Sequence, residues 1–79
     1  MKDNYYVWTL DTDGIVTETT VFIDSDLDWF DAFDELDVIA DARVKEEEEY
    51  GAEIVRVWVT YTDNPVAIPI VEKELVKAA

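Results

Sequence analysis

The sequence predicts an α+β fold: a four-stranded antiparallel sheet in ββαββ order, with one long acidic amphipathic helix packed on one face. Three observations lead there. Two stretches rich in aromatic and β-branched residues flank an Asp13-Gly14 turn near the start of the chain. Residues 27–50 then repeat apolar side chains on a helical period. After Gly51 the period returns to two, up to the turn cluster Thr62-Asp63-Asn64-Pro65. A chain of 79 residues, 49 % hydrophobic and 13 % aromatic, suits one domain spanning residues 1–79 with one modest core.

The first strand is expected over residues 5–10. Asp13-Gly14 supplies the positive-φ dipeptide of a tight hairpin, and residues 15–23 follow as the second strand. Thr17, Thr19, Val21 and Ile23 lie on one face of that strand, and Val16, Glu18, Thr20 and Phe22 on the other. Both faces carry apolar groups, so the sequence leaves the inward face open. Ser25 or Asp26 can cap the helix, with Asp28 near the N3 position, and Gly51 stops it at C′. On a 3.6-residue period Trp29, Ala32, Phe33, Leu36, Ile39, Ala40 and Val44 form the core stripe. In residues 52–61, Val55, Val57, Val59 and Tyr61 line one side, opposite Ile54, Arg56, Trp58 and Thr60. Residues 66–71 are expected as a last strand, held to an edge because Pro69 cannot donate to a ladder. Residues 71–79 have helix-forming composition but little length.

Charge is the dominant compositional signal. Twenty acidic and six basic side chains give a formal net charge of −14, and there is neither histidine nor cysteine. Without histidine the usual near-neutral base of a catalytic triad is missing, and without cysteine there is no thiolate nucleophile, disulfide or redox switch. No enzymatic activity, cofactor or resident metal is expected. No apolar run reaches the ~20 residues of a membrane span, and no targeting segment is visible, so a cytoplasmic location is expected. Direct binding to nucleic acid or anionic membrane is disfavoured by charge.

The acids are also unevenly placed. Residues 24–53 carry a net charge of −11, while the other 49 residues carry −3. Within the block, carboxylates recur at i,i+3 and i,i+4, where like charges destabilise a helix. Glu46, Glu47, Glu48 and Glu49 sit near the helix C-terminus, where the macrodipole disfavours anions. Leu27, Phe30 and Val38 fall among the acids, off the core stripe. Folding gains nothing from the like-charge repeats or the C-terminal anions, so the surface points to a partner. Asp28, Asp31, Asp34, Glu35, Asp37 and Asp41 form a ridge, extended by Glu46, Glu48 and Glu49, with Phe30 and Val38 as apolar anchors. Successive acids three or four residues apart are spaced roughly 4.5–6 Å along a helix axis. Nucleic-acid phosphates are of similar spacing, at about 3.4 Å of axis per charge on each strand.

A helix crowded with acids on a very small α+β chain lacking His and Cys resembles the phage-encoded DNA-mimic inhibitors. These include anti-CRISPR proteins, anti-restriction proteins and uracil-DNA glycosylase inhibitors. The resemblance covers residues 24–53 and the overall size, and no signature stretch carries a residue role across. It implies a basic nucleic-acid-binding protein surface as partner and, for a phage protein, the host cytoplasm as location.

Other readings attach to the same residues. Asp24, Asp26, Asp28 and Glu35 match positions 1, 3, 5 and 12 of a calcium-loop pattern, but Trp29 stands where position 6 needs glycine. Adaptation to high salt would also make a chain acidic, although it would spread acids over all elements. A third reading is an interaction module that docks on a basic partner without mimicry. A sheet covered on one face would leave Trp58, Ile54 and either Trp8 or Tyr5 as an apolar patch, suited to a partner, a homodimer through the sheet face, or cover by the C-terminal tail.

Overall fold

The computed structural model describes residues 1–75. Its elements are β1 (Lys2–Asp11), β2 (Val16–Asp24), α1 (Trp29–Glu49), β3 (Ile54–Thr60) and β4 (Val71–Glu74). The α+β architecture matches the sequence expectation. In space the strands run β2-β1-β3-β4, all neighbours antiparallel. β1 is therefore central, and the β2–α1–β3 connection carries the chain across it.

The β1–β2 hairpin closes through residues 12–15. Asp11 organises this loop, its Oδ1 accepting the N–H groups of Asp13 and Ile15, each at 2.9 Å. Of the expected positive-φ dipeptide only Gly14 has that conformation, at φ 83°, so the loop is wider than a two-residue turn.

Register settles which strand faces lie inward. Tyr5 pairs with Val21 and Val7 with both Thr19 and Val59, which puts these residues with Ile23 and Val57 on the helix side. Ala32, Leu36, Ala40 and Val44 meet them from α1. Ile39 is only partly buried, and Trp29 and Phe33 remain exposed. The core stripe is thus narrower than the sequence periodicity suggested.

On the other sheet face the tryptophans of β1 and β3 are covered, contrary to the expected patch. The β1–β3 register shifts between Leu10 and Asp11, leaving Val55 without a β1 partner and turning Ile54 into the helix-side core. Tyr5 is also on the helix side. Trp8 and Trp58 do share the outer face, their rings stacked 6.4 Å apart, but only 5 % and 3 % of each is exposed. Residues 61–70 turn back there as a loop, and the Pro65 carbonyl accepts the Trp58 indole N–H at 2.9 Å. Arg56 lies 4.1 Å from the Trp58 ring centroid and pairs with Glu72 and Glu74.

The last strand is likewise not where the apolar run 66–71 suggested. Residues 66–70, Pro69 included, belong to the loop, and the edge strand is the charged Val71–Glu74. The expected helical tendency of residues 71–79 is corrected over 71–74, which are strand; residues 76–79 lie outside the described residues.

Candidate functional site

The acidic face begins at a helix cap. Leu27 N–H reaches the Asp24 carbonyl at 3.2 Å and Asp26 N–H reaches Asp24 Oδ1 at 2.9 Å, so a turn occupies the segment that was expected to cap. The helix starts after it, and Asp28 is the N-cap, accepting the Asp31 N–H at 2.9 Å. Neither Ser25 nor Asp26 fills that role, and Asp28 is not at N3. At the far end, Gly51 has φ 98° and donates to the Glu48 carbonyl at 3.0 Å. Ala52 donates to the Glu47 carbonyl at 3.2 Å, completing a Schellman ending at the expected glycine.

Between these caps, at about 100° per residue, the acids do not fall in a single line. They spread over roughly half of the helix circumference and separate by what neutralises them. Lys73 reaches over from β4 to hold two of them, with its Nζ 2.8 Å from Asp37 Oδ1 and 2.7 Å from Asp41 Oδ1. Burial alone would lower the Lys73 pKa, but its hydrogen bonds to Asp37 and Asp41 and their charges outweigh burial and raise it. Arg43 lies 2.9 Å from Glu46 and 3.6 Å from Glu47, and the last turn of α1 holds no base. Glu48 is engaged as well.

The N-terminal half is different. Among the described residues no hydrogen bond or ion pair engages the carboxylates of Asp31, Asp34 or Glu35, nor that of Glu49 at the opposite end. Phe30 is 80 % exposed and Val38 66 % exposed on the same face. The expected site residues are therefore all on α1 or its cap, but only Asp31, Asp34, Glu35, Phe30 and Val38 form a stretch that is both unneutralised and apolar-studded.

An aromatic cluster adjoins that stretch. Trp29 stacks on Tyr61 at 6.0 Å and meets Phe33 edge-on at 6.2 Å, while Tyr61 also packs on Tyr5 at 5.1 Å. Burial, followed by the neighbouring Tyr61 and Asp3, raises the Tyr5 hydroxyl above the usual phenol range. Trp29 and Tyr61 are each half exposed. Sequence reading placed Trp29 and Phe33 in the core and left Tyr61 out of the site, because nothing local signals that the end of β3 arrives beneath the start of α1.

A second acidic contact was also beyond sequence reading. Glu18 on β2 and Asp63 in the 61–70 loop approach each other. Desolvation, with Asp63's hydrogen bond and charge, raises the Glu18 carboxyl above the usual range. The calcium-loop carboxylates do not converge: Asp24 and Asp28 cap backbone N–H groups, and Glu35 is already helical. Among the described residues no group of three or more potential ligands gathers, and no helix is long and apolar enough to cross a membrane. No family model matches the chain, and neither a curated protein nor a solved structure is significantly similar to it.

Proposed function

We propose that this protein is a non-enzymatic inhibitor of a nucleic-acid-binding protein, occupying its basic groove with the N-terminal half of α1 in place of phosphates. One observation carries the reading. Lys73 and Arg43 neutralise acids further along the helix, whereas Asp31, Asp34 and Glu35 are left without partners around exposed Phe30 and Val38. Each of these carboxylates is free to accept charge-assisted hydrogen bonds from Lys or Arg. Asp31 is about 4.5 Å from Asp34 and about 6 Å from Glu35 along the axis, of the order of phosphate spacing. Phe30, Val38 and the adjoining Trp29 supply desolvated contact that charge alone lacks.

In this reading the acids do not carry equal weight. Asp37 and Asp41 are shared with Lys73 and Glu46 with Arg43, so these carboxylates form the flank of the surface, with Glu48 and Glu49 at its far end. The same aromatic cluster favours a second reading, docking on a basic partner without competing for its nucleic-acid site.

One experiment separates the two. A partner captured from a host lysate is titrated with duplex DNA and with single-stranded RNA. Mimicry requires release by one of them, with an affinity that falls steeply with salt. Asp31→Asn combined with Asp34→Asn is expected to weaken capture by more than about tenfold at unchanged melting temperature. Retention of the partner under saturating nucleic acid would leave only the docking reading, and full binding by the double variant would remove both.

A further inference from the structure

The sheet has two edges, and they differ in how they are protected. β4 is four residues long and carries Glu72, Lys73 and Glu74. β2 is nine residues long, pairs with β1 without a register break, and contains no lysine, arginine or proline. Edge strands normally carry a bulge, an inward charge, proline or a cover, because an open row of N–H and C=O groups invites another strand. On β2 only Glu18 and Asp24 oppose such pairing.

Which backbone groups are open follows from the hairpin. Asp11 N–H donates to the Ile15 carbonyl and Ser25 N–H to that of Met1, so the odd-numbered residues of β2 bond to β1. Val16, Glu18, Thr20 and Phe22 point their N–H and C=O groups away from the sheet, and no backbone or side-chain group among the described residues takes them. Their side chains also share the outer face. Phe22 is 59 % and Val16 46 % exposed there.

We propose that β2 is a homodimer seam, pairing antiparallel with β2 of a second copy about a two-fold axis at Thr20. A second copy is the occupant favoured by register, because the open row of β2 is complementary to itself. In the full-length register Thr20 faces Thr20, Glu18 faces Phe22 and Asp24 faces Val16, so no carboxylate lies directly opposite another. Sliding by two residues toward the C-terminal end sets Glu18 against Asp24, and sliding by four toward the N-terminal end sets Glu18 against Glu18. Open groups meet open groups in the full-length register, since even-numbered residues pair with even-numbered ones. Each of the Glu18–Phe22 and Thr20–Thr20 pairs then exchanges two hydrogen bonds. Phe22 lies diagonal to Val16 of the other copy, within reach of a large side chain, so each exposed apolar residue gains an apolar neighbour. The result is one continuous eight-stranded sheet with both helices on the same side. It joins two strongly acidic chains, so dimerisation strengthens with salt.

Sedimentation equilibrium of the full chain up to about 1 mM, in low salt and in about 0.5 M NaCl, tests the seam. The expected mass at high salt is twice 9.1 kDa. Thr20→Lys sets two ammonium groups against each other on the axis and should weaken the dimer by more than about tenfold. Its circular dichroism and melting temperature, measured on dilute monomer, should match wild type. Because the chain has no cysteine, Thr20→Cys is a single reporter. Opposed Cα atoms about 5.5 Å apart lie within the ~4.4–6.8 Å that a disulfide spans. Oxidation should therefore cross-link Thr20→Cys and spare Val66→Cys, whose position is exposed on the 61–70 loop. A mass of 9.1 kDa throughout, a dimer indifferent to Thr20→Lys, or equal cross-linking at both positions would overturn the seam. Asp31→Asn with Asp34→Asn should dimerise at least as well as wild type, which keeps this test separate from that of the acidic face.

Discussion

Thr60 shows how much one buried hydroxyl can organise. Its Oγ1 accepts the Trp8 indole N–H at 2.8 Å and donates to the Thr62 carbonyl at 2.7 Å, while the residue itself has no exposed surface. One side chain thereby satisfies a buried indole and fixes the departure of the 61–70 loop. Thr60→Val keeps the shape but strands the Trp8 indole N–H, while the Thr62 carbonyl keeps the Asn64 N–H; an unsatisfied buried polar group costs about 1–3 kcal/mol. Chemical denaturation should show a loss in that range, and a neutral result would mean that the indole finds another acceptor. None of this was legible in the sequence, where Thr60 was one residue on the side of β3 opposite the valines. Its importance comes from Trp8, 52 positions earlier in the chain. By contrast, the valines at 57 and 59 could be placed from alternation alone, since a period of two is a property of the strand itself.

At the scale of elements, legibility followed the range of the forces involved. The helix and its glycine stop were readable because amphipathic period and a left-handed C′ residue are local. The N-cap was not. Ser25, Asp26 and Asp28 all have capping chemistry, and the choice was made by the Asp24 turn that delays the helix. β4 was misread for a similar reason. Residues 66–71 look like a strand by composition, but residues 66–70 are loop, with Val66 and Ile68 almost fully exposed, and the Pro65 carbonyl just before them takes the Trp58 indole N–H. The charged Val71–Glu74 instead joins the sheet because its alternate residues find partners: Glu72 and Glu74 at Arg56, Lys73 at α1. Gly51 offers a clean test at this scale. A Cβ there would meet nothing within 4 Å, so Gly51→Ala carries only the backbone cost of φ 98°. A left-handed alanine costs about 1–2 kcal/mol, and thermal unfolding should show a loss of that size. An unchanged melting temperature would mean that the helix ends without the Schellman geometry.

For the whole molecule, the net charge of −14 is a standing repulsion that the few internal ion pairs only partly offset. Raising NaCl from about 50 mM to 0.5 M shortens the Debye length from roughly 14 Å to about 4 Å. The melting temperature at pH 7 should therefore climb, and the gain should vanish near the isoelectric point of about 4.1, where the net charge is nil. A salt-independent melting curve at pH 7 would show that the crowded carboxylates do not oppose folding. The concentration of charge in residues 24–53 was visible by counting. That Lys73 would leave the N-terminal acids as the open part of the face was not, because a lysine in β4 has no sequence relation to Asp37 and Asp41.

The three tryptophans divide the molecule optically. Trp8 and Trp58 are stacked and almost wholly shielded from solvent, so their coupled transitions report on the integrity of the sheet and its loop. Trp29 is half open to solvent, stacked on Tyr61 and edge-on to Phe33 beside the unpartnered acids, and its emission responds to whatever arrives at that end of α1. Folding and recognition thus have separate intrinsic chromophores in one unlabelled chain.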